Sequence, residues 1–254
     1  MKVCIYGAGA IGGNIAVNMA AAKVAEVAVV ARGPHLAAIR ERGLTLRSGG
    51  KDATVRFAAA TDDASTLPKQ DLVVVALKAQ SIPAAAGALA DMLAPDGCAL
   101  FLANGLQWWW RYGLPGKQEH LPLLDPEGAL WKRLGPERAL GGAAYSGNEV
   151  AEPGVVVHNF LNDWGLGEPD GSARARLKAA VDLFQAAGLR ARVAPDIRRE
   201  LWRKLVGVGS QSAVGALTRL NNKQLGENAE LARLRQQFIG ETLNIAAALG
   251  WDLR

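Results

Sequence analysis

The first thirty-two residues, MKVCIYGAGAIGGNIAVNMAAAKVAEVAVVAR, restrict the possible fold more than any other part of the chain. Lys2 to Tyr6 reads as a strand, and Gly7-Ala8-Gly9-Ala10-Ile11-Gly12 as a turn of the form G-x-G-x-x-G. A helix follows from about Ile11 to Ala22, then a second strand over about Glu26 to Val30. Each glycine meets a separate demand. Gly7 permits the tight turn, Gly9 lets backbone approach a pyrophosphate, and Gly12 lets helix and strand pack closely. The helix N-terminus adds unpaired N–H groups and a positive dipole end, both suited to phosphate. An ordinary turn rich in small residues would share the composition without needing the full strand, glycine turn, helix, strand order.

The same stretch speaks to which dinucleotide. An NAD site commonly closes its second strand on Asp or Glu, which holds the ribose 2′-hydroxyl. Here Ala31 and Arg32 stand at that point. A small neutral residue followed by a guanidinium suits a 2′-phosphate, because arginine presents planar, charge-assisted donors. The spacing therefore predicts NADP, against the alternative that Arg32 is only a solvated loop charge.

The chain has 254 residues, half of them hydrophobic, so it can bury a sizeable core. Its net charge of +5 comes with no Lys/Arg run interleaved with aromatics, which points to anionic small molecules rather than nucleic acid. Cys4 and Cys98 both fall in apolar strands and read as buried free thiols of a reducing compartment. His35, His120 and His158 are scattered with no metal-ligand spacing. The apolar N-terminus is not read as a signal peptide, since its glycines sit on the fingerprint. No apolar run reaches bilayer length, so a cytoplasmic protein without membrane contact is expected.

Beyond Arg32 the pattern alternates. A helix runs to about Arg42, and Leu44–Arg47 with Ala53–Phe57 reads as a hairpin around Ser48-Gly49-Gly50. The apolar run LVVVAL opens at Leu72 and reads as a buried parallel strand ending at Lys78. A helix is expected over about 82–93, and a strand over Cys98–Ala103 that ends at Asn104-Gly105. Lys78 and Asn104 thus fall at carboxyl ends of strands, where open α/β sheets bind ligands. Residues 106–137, with Trp108-Trp109-Trp110, read as an irregular insertion. Three adjacent Trp cannot share one face of a helix or strand, so at least one is expected at a surface, a subunit contact or a lid; a cluster on the sheet's rim is the alternative. Strands are expected at Leu140–Ser146, Val155–His158 and Leu161–Leu166, a helix at Ser172–Ala187 and a strand at Leu189–Val193. After Pro195 the pattern is helical throughout, over about 197–220 and 227–249. The fold class is α/β: a doubly wound sheet over 1–194, then a smaller all-helical domain over 195–254.

A nicotinamide enzyme that reduces a carbonyl needs an acid beside the carbonyl oxygen. Lysine can serve when burial lowers its pKa. In Leu201-Trp202-Arg203-Lys204-Leu205, Lys204 lies among apolar residues, and with Val208 and Ser212 it forms an i, i+4, i+8 stripe near one helix face. A snorkelling lysine on an amphipathic helix is the plainer reading.

The chain resembles the ketopantoate reductase (2-dehydropantoate 2-reductase) family over nearly its whole length. The resemblance rests on GAGAIGG at 7–13, ARG at 31–33, LVVVALKAQ at 72–80, FLANG at 101–105, PGVVVH at 153–158 and DIRRELWRKL at 196–205. It implies a Rossmann domain, a helical C-terminal domain, NADPH in the cleft between them and a role in pantothenate biosynthesis. It further implies that Gly7, Ala8, Gly9, Ala10, Ile11 and Gly12 form the pyrophosphate loop and that Arg32 meets the 2′-phosphate. Lys78, Gln80 and Gly147 match cofactor contacts. Asn104 matches an asparagine touching cofactor and substrate, Lys204 the catalytic lysine, and Asn222 a substrate-binding asparagine.

Two departures from the family pattern bear on the substrate. Val208 and Ser212 stand where the family carries substrate-binding asparagines; valine has no donor and serine only one. The sequence also stops at Arg254, short of the further helices of family members, so exposed helical faces and a homodimer through them are expected. The leading expectation is NADPH-dependent reduction of a small 2-oxo acid, 2-dehydropantoate or a relative. The alternative is an NADP-binding paralogue, sensor or remnant, without turnover.

Overall fold

The computed structural model describes all residues, Met1–Arg254. Ten strands are introduced in chain order: β1 Lys2–Tyr6, β2 Glu26–Val30, β3 Leu44–Ser48, β4 Lys51–Val55, β5 Ala59–Thr61, β6 Gln70–Val75, β7 Leu93–Phe101, β8 Ala139–Glu152, β9 Val155–Gly167 and β10 Arg190–Val193. The helices are α1 Ala10–Ala21, α2 Gly33–Arg42, α3 Ala86–Met92, α4 Ala175–Ala186, α5 Ile197–Thr218, α6 Asn222–Glu227 and α7 Ala229–Ala248. The chain divides into two compact units, one of residues 1–103 with 107–197 and one of 104–106 with 198–254. The division thus falls three residues beyond the expected 194, and Asn104 joins the C-terminal helices rather than the sheet.

All ten strands of the first unit form one sheet, in the order β4-β3-β9-β8-β7-β6-β1-β2-β5, with β10 also on β9. From β5 through β2, β1, β6 and β7 to β8 every pairing is parallel. This is the doubly wound dinucleotide-binding arrangement, and the strand order reverses at β1. β1, β2 and β6 are apolar almost throughout, as strands covered on both faces must be. Ile15, Met19, Leu72, Leu100, Trp164 and Phe184 are among the residues of the core.

The remainder of the sheet departs from expectation. The two short strands expected at 155–158 and 161–166 are one strand, β9, and β8 runs on to Glu152, so the two make a single long antiparallel hairpin. β9 tolerates Leu161 at φ 54, a left-handed residue within the strand. The helix expected from about 82 is broken: short 3₁₀ turns cover 79–81 and 83–85 before α3 begins.

The three adjacent Trp correct the expectation of surface exposure. Trp108, Trp109 and Trp110 are 2%, 0% and 7% exposed. The segment is neither helix nor strand but a run of tight turns, in which Trp110 N–H donates to Gln107 O and Tyr112 N–H to Trp109 O. Trp108 meets Phe101 edge-on at 5.4 Å, and Trp109 stacks on Trp110 at 6.3 Å. Trp109 also lies against Gly141, where a Cβ would come within 2.6 Å of the ring. The absent side chain on β8 makes the space for the indole.

In the second unit, α5 carries buried Leu201, Trp202 and Val214. Trp202 faces Trp251 with ring centroids 6.5 Å apart. Asn221 caps α6 in a reciprocal capping box with Gln224, and Asn228 caps α7. No helix of the protein is long and apolar enough to cross a membrane.

Candidate active site

The glycine loop leaves β1 at the point of strand-order reversal, between β2 and β6. Gly7 has φ +102, a conformation that other residues rarely adopt. Its N–H and that of Ala8 both donate to Val30 O, at 2.9 and 3.1 Å, which fastens the loop to the end of β2. A Cβ on Gly12 would lie 2.1 Å from Gly7 O and 2.9 Å from Ile5, so α1 seats on β1 only because that side chain is missing. A Cβ on Gly9 would meet nothing within 4 Å. Gly9 therefore faces open space directly beside the first turn of α1. That helix has no side-chain cap and no acidic residue in its first turn, so its leading N–H groups remain available. Free donors, a positive helix end and room for close approach fit a pyrophosphate.

The adenosine end of the site is equally consistent. β2 ends at Val30, Ala31 is buried, and Arg32 is exposed at the N-cap of α2. No carboxylate pairs with Arg32, and α2 has no acidic residue in its first turn. A guanidinium over an uncapped helix start fits a 2′-phosphate and leaves no acceptor for a 2′-hydroxyl of the NAD kind.

Lys78 and Gln80 lie three and five residues beyond β6 rather than on its end. Both are exposed, with Lys78 capping the 3₁₀ turn at 79–81. They belong to the same edge of the sheet as the glycine loop, because Ala76 and Leu77 touch the Cβ position of Gly7. Gly147 lies on β8 opposite Phe160, at an irregularity in the hairpin. The Phe160 ring covers it so closely that a Cβ would come within 2.4 Å.

The second unit holds Asn104 and Lys204 together with Val208, Ser212 and Asn222. Asn104 is exposed and precedes Gly105, whose φ is +86. Lys204, Val208 and Ser212 all lie on α5, four residues apart, with Lys204 and Val208 half-buried and Ser212 exposed. Burial pushes the Lys204 ammonium down from 10.5 to about 8. An amine poised there can be charged at neutral pH and still give up its proton readily. Asn222 is exposed at the start of α6, beside the capping Asn221.

One polar group of the first unit carried no sequence signal beyond its presence in an apolar helix. Asn14 on α1 is 1% exposed and donates to Ser146 Oγ at 3.3 Å and to Asn162 Oδ1 at 3.4 Å. Asn162 also accepts from the Trp164 indole N–H at 3.0 Å, and Ser146 from Asn148 at 2.8 Å. These bonds hold the helix that begins at the glycine loop against the part of β8 that carries Gly147. The two cysteines are buried and unpaired, as expected, and burial raises Cys4 to about 12 and Cys98 to about 11. Neither thiol can supply a nucleophile at neutral pH.

Comparison with known proteins follows the same division. A family described as ketopantoate reductase PanE/ApbA matches residues 3–171, and its C-terminal region matches residues 196–254. A 2-dehydropantoate 2-reductase of Mesorhizobium japonicum is 39% identical over 265 residues, spanning 100% of this chain and 80% of that protein. In three dimensions the chain is similar to a PanE/ApbA family ketopantoate reductase from Ralstonia eutropha, with a TM-score of 0.80 and 26% identity over 98% of this chain and 75% of that one. It is likewise similar to 2-dehydropantoate 2-reductase from Geobacter metallireducens, with a TM-score of 0.83 and 25% identity over 98% of this chain and 76% of the other.

Proposed function

The chain belongs to the ketopantoate reductase family of NADP-dependent oxidoreductases, and from that membership we propose that it reduces a small 2-oxo acid, 2-dehydropantoate or a close relative. When bound, NADPH supplies the hydride. The protein's own residues hold and protonate. The glycine loop and α1 take the pyrophosphate, Arg32 the 2′-phosphate, and Lys78, Gln80 and Gly147 further parts of the cofactor. Asn104 orients substrate, and Lys204 delivers the proton to the carbonyl oxygen as it becomes an alkoxide. Residues 1–194 thus serve the cofactor and 195–254 the substrate, with Asn104 working alongside the latter.

The observation that carries this reading is Lys204. A half-buried lysine brought down to about 8 is placed for acid catalysis. It shares its unit with Asn104. The test is NADPH oxidation over a panel of 2-oxo acids that includes 2-dehydropantoate, with wild type beside Lys204→Ala. Turnover on one panel member, lost in the variant, is expected; NADPH binding without turnover on any member would defeat the reductase reading.

A second reading, NADP binding without turnover, is favoured by the face that follows Lys204. Val208 offers no hydrogen bond and Ser212 a single hydroxyl, so a hydroxylated 2-oxo acid finds few partners on α5. The same panel separates the two.

We also propose a homodimer working in the cytoplasm. Leu234, Phe238 and Ile245 on α7 and Leu249 at its C-cap are 39%, 38%, 55% and 57% exposed. Their spacings of four, seven and four residues make a coiled-coil-like seam, which a second copy of the same helix would cover. The unpaired Cys4 and Cys98 suit a reducing compartment.

A further inference from the structure

His35 stands third in α2, three residues past Arg32, and its imidazole bridges two backbone groups. Nε2 lies 2.8 Å from Ala8 O, in the middle of the glycine loop. Nδ1 accepts from Gly154 N–H at 3.0 Å, in the turn between β8 and β9. The partners fix the chemistry. A backbone N–H can only donate and a carbonyl can only accept, so Nδ1 must be bare and Nε2 must carry the proton. Only the neutral Nε2–H tautomer satisfies both bonds.

The Ala8 bond matters because of what lies across the peptide. C=O and N–H of a trans peptide point in opposite directions in one plane. Holding Ala8 O toward α2 therefore aims Gly9 N–H away from it. No acceptor within the protein takes the Gly9 N–H, and Gly9 faces open space. Val30 O already holds the N–H on the other side of Ala8. The Ala8 unit is thus pinned at both ends, and one free donor is left pointing outward.

We infer that His35 is a cofactor-positioning residue: through Nε2–H it sets the Ala8–Gly9 peptide so that Gly9 N–H meets the NADP pyrophosphate. It makes no contact with reacting atoms. Because it rides on the helix that Arg32 caps, it also fixes the distance between the pyrophosphate loop and the 2′-phosphate arginine. The Gly154 bond is a separate task, anchoring the hairpin turn, which Arg42 also holds through Pro153 O at 2.8 Å. The inference rests on the reading of the glycine loop as the pyrophosphate site.

Two substitutions divide the two bonds. The amide of His35→Gln reaches the place of Nε2 and can donate to Ala8 O, while the amide of His35→Asn reaches the place of Nδ1 and can accept from Gly154 N–H. The measurement is the NADPH dissociation constant by fluorescence titration, with thermal midpoints recorded alongside. His35→Asn is expected to weaken NADPH about tenfold, the value of one misdirected charge-assisted hydrogen bond. His35→Gln is expected to stay close to wild type even where its thermal midpoint is the lower of the two. Equal affinities in the two variants, or weaker binding in His35→Gln, would overturn the inference. Wild-type protein that fails to bind NADPH would overturn both it and the site assignment, whereas wild-type binding with no difference between the variants removes the role of His35 alone.

Discussion

Arg176 donates twice to the buried carboxylate of Glu168, Nε to Oε1 at 2.9 Å and Nη2 to Oε2 at 2.6 Å. Glu168 has no exposed side-chain surface, and Arg174 adds a third bond at 2.9 Å. The arrangement ties the end of β9 to the start of α4. Removing the carboxylate alone would leave a half-buried guanidinium without its partner. Glu168→Ala is therefore expected to cost about 3–5 kcal/mol in urea unfolding. A loss below 1 kcal/mol would show that water replaces the carboxylate freely.

Lys204 gives opposite effects on stability and on activity. Its pKa falls from 10.5 unfolded to about 8 folded, so between those values the unfolded chain binds more protons and stability rises with pH. Below pH 8 the buried charge carries its full cost. Lys204→Met should accordingly stabilise the protein at pH 7 by on the order of 1–3 kcal/mol while abolishing reduction. In the wild type kcat/KM should fall as pH rises through about 8, because the acid is then spent. A flat profile from pH 7 to 9.5 would exclude Lys204 as the proton donor.

Arg32 distinguishes the two nicotinamide cofactors. Arg32→Ala removes a charge-assisted contact worth about 1.5–3 kcal/mol, so NADPH binding should weaken by roughly ten- to a hundredfold. NADH, which lacks the phosphate, should be little affected. Equal weakening of both would assign Arg32 to another part of the cofactor.

Gly12→Ala tests the packing of the fingerprint. The new Cβ would sit 2.1 Å from Gly7 O, a backbone atom that cannot move without opening the loop. A loss of about 1–3 kcal/mol is expected, together with weaker NADPH binding. Gly9→Ala meets no protein atom and should leave stability nearly unchanged while still reducing NADPH affinity. If both variants lose only stability, the loop does not hold the cofactor.

The seam on α7 predicts a dimer at micromolar concentration in sedimentation velocity, and a monomer for Phe238→Asp, which places a charge among exposed Leu234 and Ile245. A wild-type monomer would remove the proposed interface.

What could be read from the sequence follows from how local each cause is. β1, the glycine loop, α1 and β2 are legible because each glycine answers a demand of its immediate neighbours. Lys204 stands out because LWRKL surrounds a charge with apolar residues. The Trp run misled because the rule that forbids three Trp on one face holds for helices and strands, whereas this segment turns at nearly every residue. The long hairpin was not legible because nothing in the sequence shows that β9 runs through residues 159–160 and accommodates the left-handed Leu161. His35 gave no signal at all: its partners lie 27 and 119 residues away, and both are backbone groups whose identity the sequence does not display.

The pairing of β3 with β9 sets a timetable for synthesis. Thr45 aligns with Val155 and Ser48 with His158, while β3's only earlier strand neighbour is the exposed β4. As the chain leaves the ribosome, β1, β2, β5, β6 and β7 can assemble in turn. The apolar Leu44 and Leu46 of β3 share a core with Ile15 and Met19 of α1, but the β3 edge that takes β9 must wait unpaired until the far side of the sheet has been made. Such delayed, distant pairing is slow and exposes an edge to other chains. The short polar β4, with Lys51 and Asp52 at its start, lies on the other side of β3 and closes the sheet's outer edge, as charged edge strands do against aggregation.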